Sequence, residues 1–363
     1  MIDRAGADVI ADRYIVTLRD GSSGASVAAA LGVAPTHVYT SALNGFAAKL
    51  DAVQLAAVLA DPAVQAVEED RVVRSTTTYN TVHSGWDAWG LDRIDQRALP
   101  LSNTFTVNNT ASGVNAYIFD SGARYSHLLF GGRATFVYDA FGGDGTDCDG
   151  HGTHVAGIVG GAYGTTVTGV ASAVNLKIAK VLDCTGNGSV AGIIAAIDHV
   201  RANHTKPAVA NMSLGVNGIS TSFNTAIQNL INAGVTTVVA AGNSSQDACN
   251  FSPGAVTSAI VVAASDRKDT RATFSNHGPC VDLYAPGVAI WSAYHDGDGN
   301  LARVDGTSQA SPHVAGVAAL YLATNPAATP SAVQSYIVTN STPNVIGRNR
   351  TGTPNRLLFS NGL

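Results

Sequence analysis

Gly306-Thr307-Ser308-Gln309-Ala310-Ser311-Pro312-His313-Val314-Ala315-Gly316 sets a serine where a Gly-Thr turn runs into an alanine-rich helix. The opening N–H groups of such a helix have no partner within it, so they are ready to donate to an anion beside the hydroxyl. Alone, the segment reads equally well as a capped helix with Ser308 as N-cap, the ordinary role of a serine at a helix start. A histidine and an aspartate elsewhere, each in its own setting, favour a nucleophile with half an oxyanion hole attached.

Working outward from this helix (308–324), other helical patterns fall near 151–160, 188–203, 221–233 and 330–339. They alternate with apolar or β-branched runs at 114–119, 174–182, 208–214, 235–241 and 259–264. Apolar strands separated by helices predict an α/β fold with a doubly wound, mainly parallel sheet covered on both faces. In such sheets the site lies at the carboxyl ends of the strands. Residues 1–74 read differently, as a small α+β unit. Strand-like runs at 14–18, 37–39, 46–50 and 63–69 and helices at 25–31 and 53–59 give the ferredoxin-like order β-α-β-β-α-β. Residues 75–81 follow as a polar, small-residue linker suited to proteolytic nicking, and 82–363 as the large domain.

The run 114–119 ends in Asp120, a charge that is costly at the end of a buried strand unless paired. Asp149-Gly150-His151-Gly152-Thr153-His154 puts His151 at the start of a small-residue helix. Two histidines three apart raise metal ligation, but no further zinc ligands are evident. His154 and His313 are read as structural. The order Asp120, His151, Ser308 agrees with that of the subtilisin triad and differs from the chymotrypsin and α/β-hydrolase orders.

Composition bounds the rest. Of 363 residues only 13% are charged and 45% are hydrophobic, 38 are glycine, and the net charge is −5. That favours a compact globule with many tight turns and argues against nucleic-acid or anionic-membrane partners. No run has the length of a membrane span, and residues 1–8 carry no signal-peptide pattern. Cys148, Cys184, Cys249 and Cys280 form no C-x-x-C pair. Two structural disulfides, with sequential pairing preferred among three connectivities, stand against the alternative of four buried thiols.

With its three motifs in order, the chain resembles the subtilisin-like serine proteases (subtilases), in particular the aqualysin group of the proteinase K branch. The resemblance rests on the segments 117–122, 150–157 and 306–313, joined by Trp89-Gly90-Leu91-Asp92-Arg93-Ile94-Asp95-Gln96 near the start of the large domain. It implies a serine endopeptidase in which Ser308 attacks the scissile carbonyl, His151 is the general base and Asp120 orients it. Asn243, otherwise an ordinary turn asparagine, becomes an oxyanion donor. The resemblance also implies a peptide cleft edged by Gly186, Gly188, Ser213, Leu214 and Gly215, with Ala240, Ala241 and Gly242 walling the first side-chain pocket. No acidic residue stands in those walls, so apolar or aromatic side chains are expected there, with broad tolerance. The pairs Cys148–Cys184 and Cys249–Cys280 match that group's disulfides.

Structural calcium is implied at Asp282 with the carbonyls of Thr257 and Ala259, and at Asp92, Asp95 and Gln96, oxygen donors suited to a hard cation. The N-terminal unit resembles the subtilase propeptide, through Asn44-Gly45-Phe46-Ala47-Ala48-Lys49-Leu50 and Val67-Glu68-Glu69-Asp70. It would act as folding chaperone and inhibitor of a monomeric zymogen that cleaves itself near 74–81; a separate ferredoxin-like domain is the plainer reading. Protein and peptide substrates and a secreted location are expected, with a signal absent from this chain. The alternatives are an inhibited peptide-binding protein that retains its pro-segment and an intracellular processing protease. Three departures from the family pattern stand out: Gln309 after the nucleophile, Asp305 before Gly306, expected to raise the pKa of His151, and Val216 beside the cleft.

Overall fold

A computed structural model of the chain describes residues 2–3, 8–75, 78–79, 88–164 and 167–363. At its centre lies Asn115–Asp120, the aspartate strand, whose six residues are all buried. A strand with no polar face needs apolar cover on both sides, as in a parallel sheet. The sheet runs in the order Ala134–Asp139, Asn175–Lys180, Asn115–Asp120, Ala208–Met212, Thr236–Ala240, Ile260–Ser265, Leu283–Pro286, Arg356–Leu357, Thr342–Pro343. Every neighbouring pair is parallel except the last.

Helices cover both faces. Val190–Asn203 and Thr221–Asn232 bury Ile193, Ile197, Phe223 and Ile227 on one side. His151–Gly160 (the histidine helix), Thr307–Thr324 (the serine helix) and Pro330–Asn340 bury Val155, Val314, Val317 and Val333 on the other. The chain enters this sheet in the middle, builds outward to Ala134–Asp139, then returns to build outward the other way from Ala208–Met212. The switch point therefore falls between the aspartate strand and Ala208–Met212, the crevice where α/β sheets place ligands.

The N-terminal unit has strands Val9–Leu18, Pro35–Tyr39, Gly45–Lys49 and Val64–Ser75 with helices Gly24–Ala30 and Ala52–Ala60. Sheet order puts Val64–Ser75 beside Val9–Leu18, then Gly45–Lys49, then Pro35–Tyr39, the ferredoxin-like arrangement expected. Its own small core holds Val16, Phe46, Leu50 and Val58. This sheet rests on the Val190–Asn203 and Thr221–Asn232 helices: the Tyr39 hydroxyl donates to Ala191 O, and Asp198 accepts the N–H groups of Thr40, Ser41 and Ala42.

The structure departs from the sequence reading at several points, among them the buried strand Leu283–Pro286, which lies outside the expected runs. Ala134–Asp139 is a strand with Phe136 half exposed, and it lacks the apolar run that marks a central strand. Within the expected linker 75–81, Ser75 ends a long strand and Thr78–Tyr79 is a short one. Residues 76–77 and 80–81 lie outside the described residues.

Candidate active site

Three elements deliver the candidate residues to the switch point. The aspartate strand ends on Asp120. Gly150, with φ of 106°, turns the chain into the histidine helix, a conformation glycine adopts without strain. Two groups hold that entry. Asp147 accepts the N–H groups of Gly150 and Thr153 and the Thr153 hydroxyl, holding the turn that leads into the helix. Ser121 donates to Asp147 and accepts from Gly152 N–H. His151 Nδ1 then lies 2.6 Å from Asp120 Oδ1, which also accepts Ser121 N–H at 2.8 Å.

The serine helix has Gly306 as N-cap, and the N–H of Thr307, its first residue, donates to Asn243 Oδ1. Pro312 sits one turn inside the helix and cannot donate to the carbonyl of Ser308. The hydroxyl of Ser213 donates to that carbonyl instead, at 2.9 Å, while Ser308 Oγ donates to Ser213 O, also at 2.9 Å. This reciprocal pair ties the candidate nucleophile to the strand edge that follows Ala208–Met212. Among the described residues His151 Nε2 has no hydrogen-bond partner, and Asp120, His151 and Ser308 are all buried.

Asn243 lies beside them with its Oδ1 held by the N–H (3.0 Å) and hydroxyl (2.8 Å) of Thr307, whose hydroxyl oxygen accepts Gly242 N–H. Two donors on Oδ1 fix which end of the amide is nitrogen. Thr307, Ser121 and Asp147 are positioning residues that the sequence reading missed. Nothing local in the sequence marked any of the three, since Asp147 lies three residues before the N-cap Gly150.

Burial raises the pKa of Asp120 while the paired imidazole pulls it back. Burial lowers that of His151, but Asp120, Asp149 and Asp147 together outweigh it and the net shift is upward. The acidic residues responsible are these three. Asp305, expected to act on His151, is engaged with Ala289 N–H at 2.6 Å. His154 and His313 are buried and driven down to about 3 and about 4 by desolvation, so both are neutral structural histidines.

A groove leads to this centre, and a strand lies in it. Val64–Ser75 continues out of the N-terminal sheet between two edges of the large domain. On one side Asn187, Gly188 and Ser189 pair antiparallel with Arg74, Val73 and Val72. On the other Leu214 and Gly215 pair antiparallel with Ser75 and Arg74, and Gly186 O accepts Ser75 N–H at 3.0 Å. Residues 188–189, expected to open a helix, belong to this edge. Beyond the centre, Thr78–Tyr79 pairs antiparallel with Val304 and Asp305. A cavity of about 310 Å³ opens beside the tail, lined by Val216, Ala240, Ala241, Gly242, Phe251 and Gly254 among others. The two disulfides, Cys148–Cys184 and Cys249–Cys280, anchor the loops before His151 and Gly186 and the loop bordering the cavity.

Comparison with known proteins agrees with this geometry. The Subtilase family model matches residues 112–362 and the Peptidase inhibitor I9 model residues 13–76. The chain belongs to the subtilase family. This subtilase is 48% identical to the "Extracellular serine proteinase" of Thermus sp. (strain Rt41A), over 91% of this chain and 78% of the relative. It is 42% identical to the "Alkaline serine exoprotease A" of Vibrio alginolyticus, over 97% and 68%. A solved cold-adapted subtilisin-like serine proteinase superposes with a TM-score of 0.72 at 47% identity, over 75% of this chain and 97% of that one. The subtilase is thus a serine endopeptidase preceded by an I9-type propeptide, as its motifs implied.

The two expected calcium loci differ. Asp92 Oδ1 and Gln96 Oε1 both accept Ser102 N–H, and Asp95 Oδ2 accepts Thr106 N–H. Asp95 Oδ1 is buried without a hydrogen-bond partner among the described residues, as a ligand oxygen for a cation would be. At the other locus Thr257 O, Ala259 O and Asp282 Oδ1 do converge, but on the side-chain nitrogen of Gln334. Among the described residues no helix is long and apolar enough to cross a membrane.

Proposed function

We propose that this subtilase is an autoprocessing zymogen whose triad is Asp120, His151 and Ser308, with Asn243 and the Ser308 N–H as oxyanion donors. Its domains divide as a propeptide (1–74), a processing region (75–81) and a catalytic domain (82–363). Ser308 Oγ attacks the carbonyl while His151 Nε2 takes its proton; the imidazole then protonates the departing amine, and water resolves the acyl-enzyme. Asp120 holds the tautomer that leaves Nε2 free to accept.

The observation carrying this reading is the propeptide tail, held as the central strand between two cleft edges and paired again beyond Ser308. Ser75 pairs with Leu214, the neighbour of Ser213, whose carbonyl accepts from Ser308 Oγ, so we propose that cleavage falls one residue beyond Ser75. The scissile bond is therefore assigned to Thr76–Thr77. Threonine is a modest occupant for an apolar pocket, but tethering raises its effective concentration. Substrates added in trans lack that advantage, so apolar or aromatic side chains at the cleavage position are preferred, with broad tolerance. Extended protein and peptide chains bind by β-strand addition to the same edges.

The propeptide serves as intramolecular chaperone and inhibitor of a monomer that works outside the cell. Structural calcium binds at Asp92, Asp95 and Gln96. Intact mass decides the central claim. Wild-type protein yields a fragment ending at Thr76, and Ser308→Ala remains full length. Cleavage of the Ser308→Ala precursor at that bond, or no labelling of the mature protein by a fluorophosphonate, overturns it.

A further inference from the structure

The helix Pro330–Asn340 puts Gln334 one turn from its start, against the loop that precedes Ile260–Ser265. Its side-chain nitrogen lies 3.3 Å from Thr257 O, 3.2 Å from Ala259 O and 3.2 Å from Asp282 Oδ1. The other carboxylate oxygen of Asp282 accepts Val261 N–H at 2.8 Å. Three acceptors thus surround one nitrogen that has only two hydrogens, at distances on the long side for N–H···O bonds. The reverse amide orientation would set an oxygen against three oxygens, so the network fixes the nitrogen here.

Two carbonyls and a carboxylate converging on one point form a donor set for a hard cation. In this chain, an amide supplies the positive partner. We infer that Gln334 closes this locus to calcium, its NH2 taking the central position and holding together oxygens that would otherwise need a metal ion. Two physical arguments support closure over displacement. The amide is tethered and always present, whereas calcium must be recruited from solution and dehydrated. The cage also offers one carboxylate only, a low charge count for a divalent ion. The loop carrying Thr257 and Ala259 is therefore pinned to helix Pro330–Asn340 by protein groups alone, while Asp92, Asp95 and Gln96 provide the calcium-dependent part of the molecule.

The test uses the full chain carrying Ser308→Ala, to prevent autolysis, and Asp92→Asn, to silence the other locus. Thermal midpoints are compared in EGTA and in millimolar calcium. With Gln334 present the midpoint is the same in both. Gln334→Ala lowers it in EGTA and makes it rise with calcium by on the order of 5 °C, and adding Asp282→Asn abolishes that rise. If the Gln334 protein already gains stability from calcium through Asp282, or if Gln334→Ala stays calcium-insensitive, the inference is wrong. Should Gln334→Ala fail to fold, equilibrium dialysis with radioactive calcium on the Asp92→Asn protein decides. Asp282→Asn must leave the bound calcium unchanged, and a loss of one ion overturns closure.

Discussion

Ser308 is prepared by residues both near to it and far from it in sequence. Pro312 leaves its carbonyl without a helix partner, Ser213 takes up that carbonyl, and Thr307 holds the Asn243 amide by its oxygen end. Asn243→Ala is expected to lower kcat by about 10²–10³-fold with KM little changed, since an oxyanion donor acts mainly in the transition state. Thr307→Val removes a hydroxyl that orients Asn243 and accepts Gly242 N–H without itself reaching the oxyanion, so the loss should be smaller, roughly tenfold. Steady-state kinetics on one peptide rank the two, and an equal or larger loss in Thr307→Val would refute the assigned hierarchy. The pH profile tests the electrostatics. Catalysis needs neutral His151, whose pKa lies above the ordinary 6.5. Activity should thus be lost as pH falls through a midpoint above that value. Asp149 is one of the charges responsible, so Asp149→Asn should move the acid limb of kcat/KM to lower pH. An unmoved limb would show that its charge is screened. Asp120, His151 and Ser308 were legible because each stands in a local context of its own. Thr307 was not, because its role depends on Asn243, a residue 64 positions away.

At the level of elements, periodicity was enough for the longer buried elements, though not for the four-residue buried strand Leu283–Pro286. The strand near 114–119 and the helix near 308–324 appear within a residue of their expected bounds. Elements that depend on pairing were not legible in this way. Asn187–Ser189 is a strand because Val72, Val73 and Arg74 pair with it, and three small or polar residues carry no periodic signal of their own. This edge also gives a sharp structural constraint. A Cβ placed on Gly188 would lie 2.1 Å from Val181 O, so the edge would have to shift. Gly188→Ala is expected to reduce kcat/KM on extended peptides by roughly tenfold to a hundredfold, the scale of an ångström-level misplacement. Single-residue esters, which do not reach this edge, should be cut at the wild-type rate. Equal losses on both substrate types would mean the edge acts on the triad instead of on peptide alignment.

Across the whole molecule, the propeptide is joined to the catalytic domain by more than its tail. Glu68 accepts Ser222 N–H and the hydroxyls of Ser220 and Ser222, and Asp70 accepts Ala191 N–H. One propeptide strand therefore sets a carboxylate at the first turn of each of two core helices, Val190–Asn203 and Thr221–Asn232, where negative charge is favoured. That arrangement gives physical substance to a folding template, because it satisfies helix ends while the slow parallel sheet assembles. The contact by Asp70 also carries a pH dependence. Burial raises its pKa to about 6 against the pull of the Ala191 and Arg71 N–H groups, and its second oxygen has no hydrogen-bond partner among the described residues. Released into water, the same carboxyl titrates near 4. Between about pH 4 and pH 6 the complex therefore binds more protons than the separated parts. Association is strongest below that window and weakens by up to about tenfold per pH unit as pH rises through it. Cleaved complex held at each pH and then assayed at one common pH should show more free enzyme toward pH 6, and Asp70→Asn should flatten the trend. A trend that persists in Asp70→Asn would assign the pH dependence to another group. The two ionisations then act in one direction: rising pH frees the propeptide and leaves His151 neutral, so release and catalytic competence arrive together.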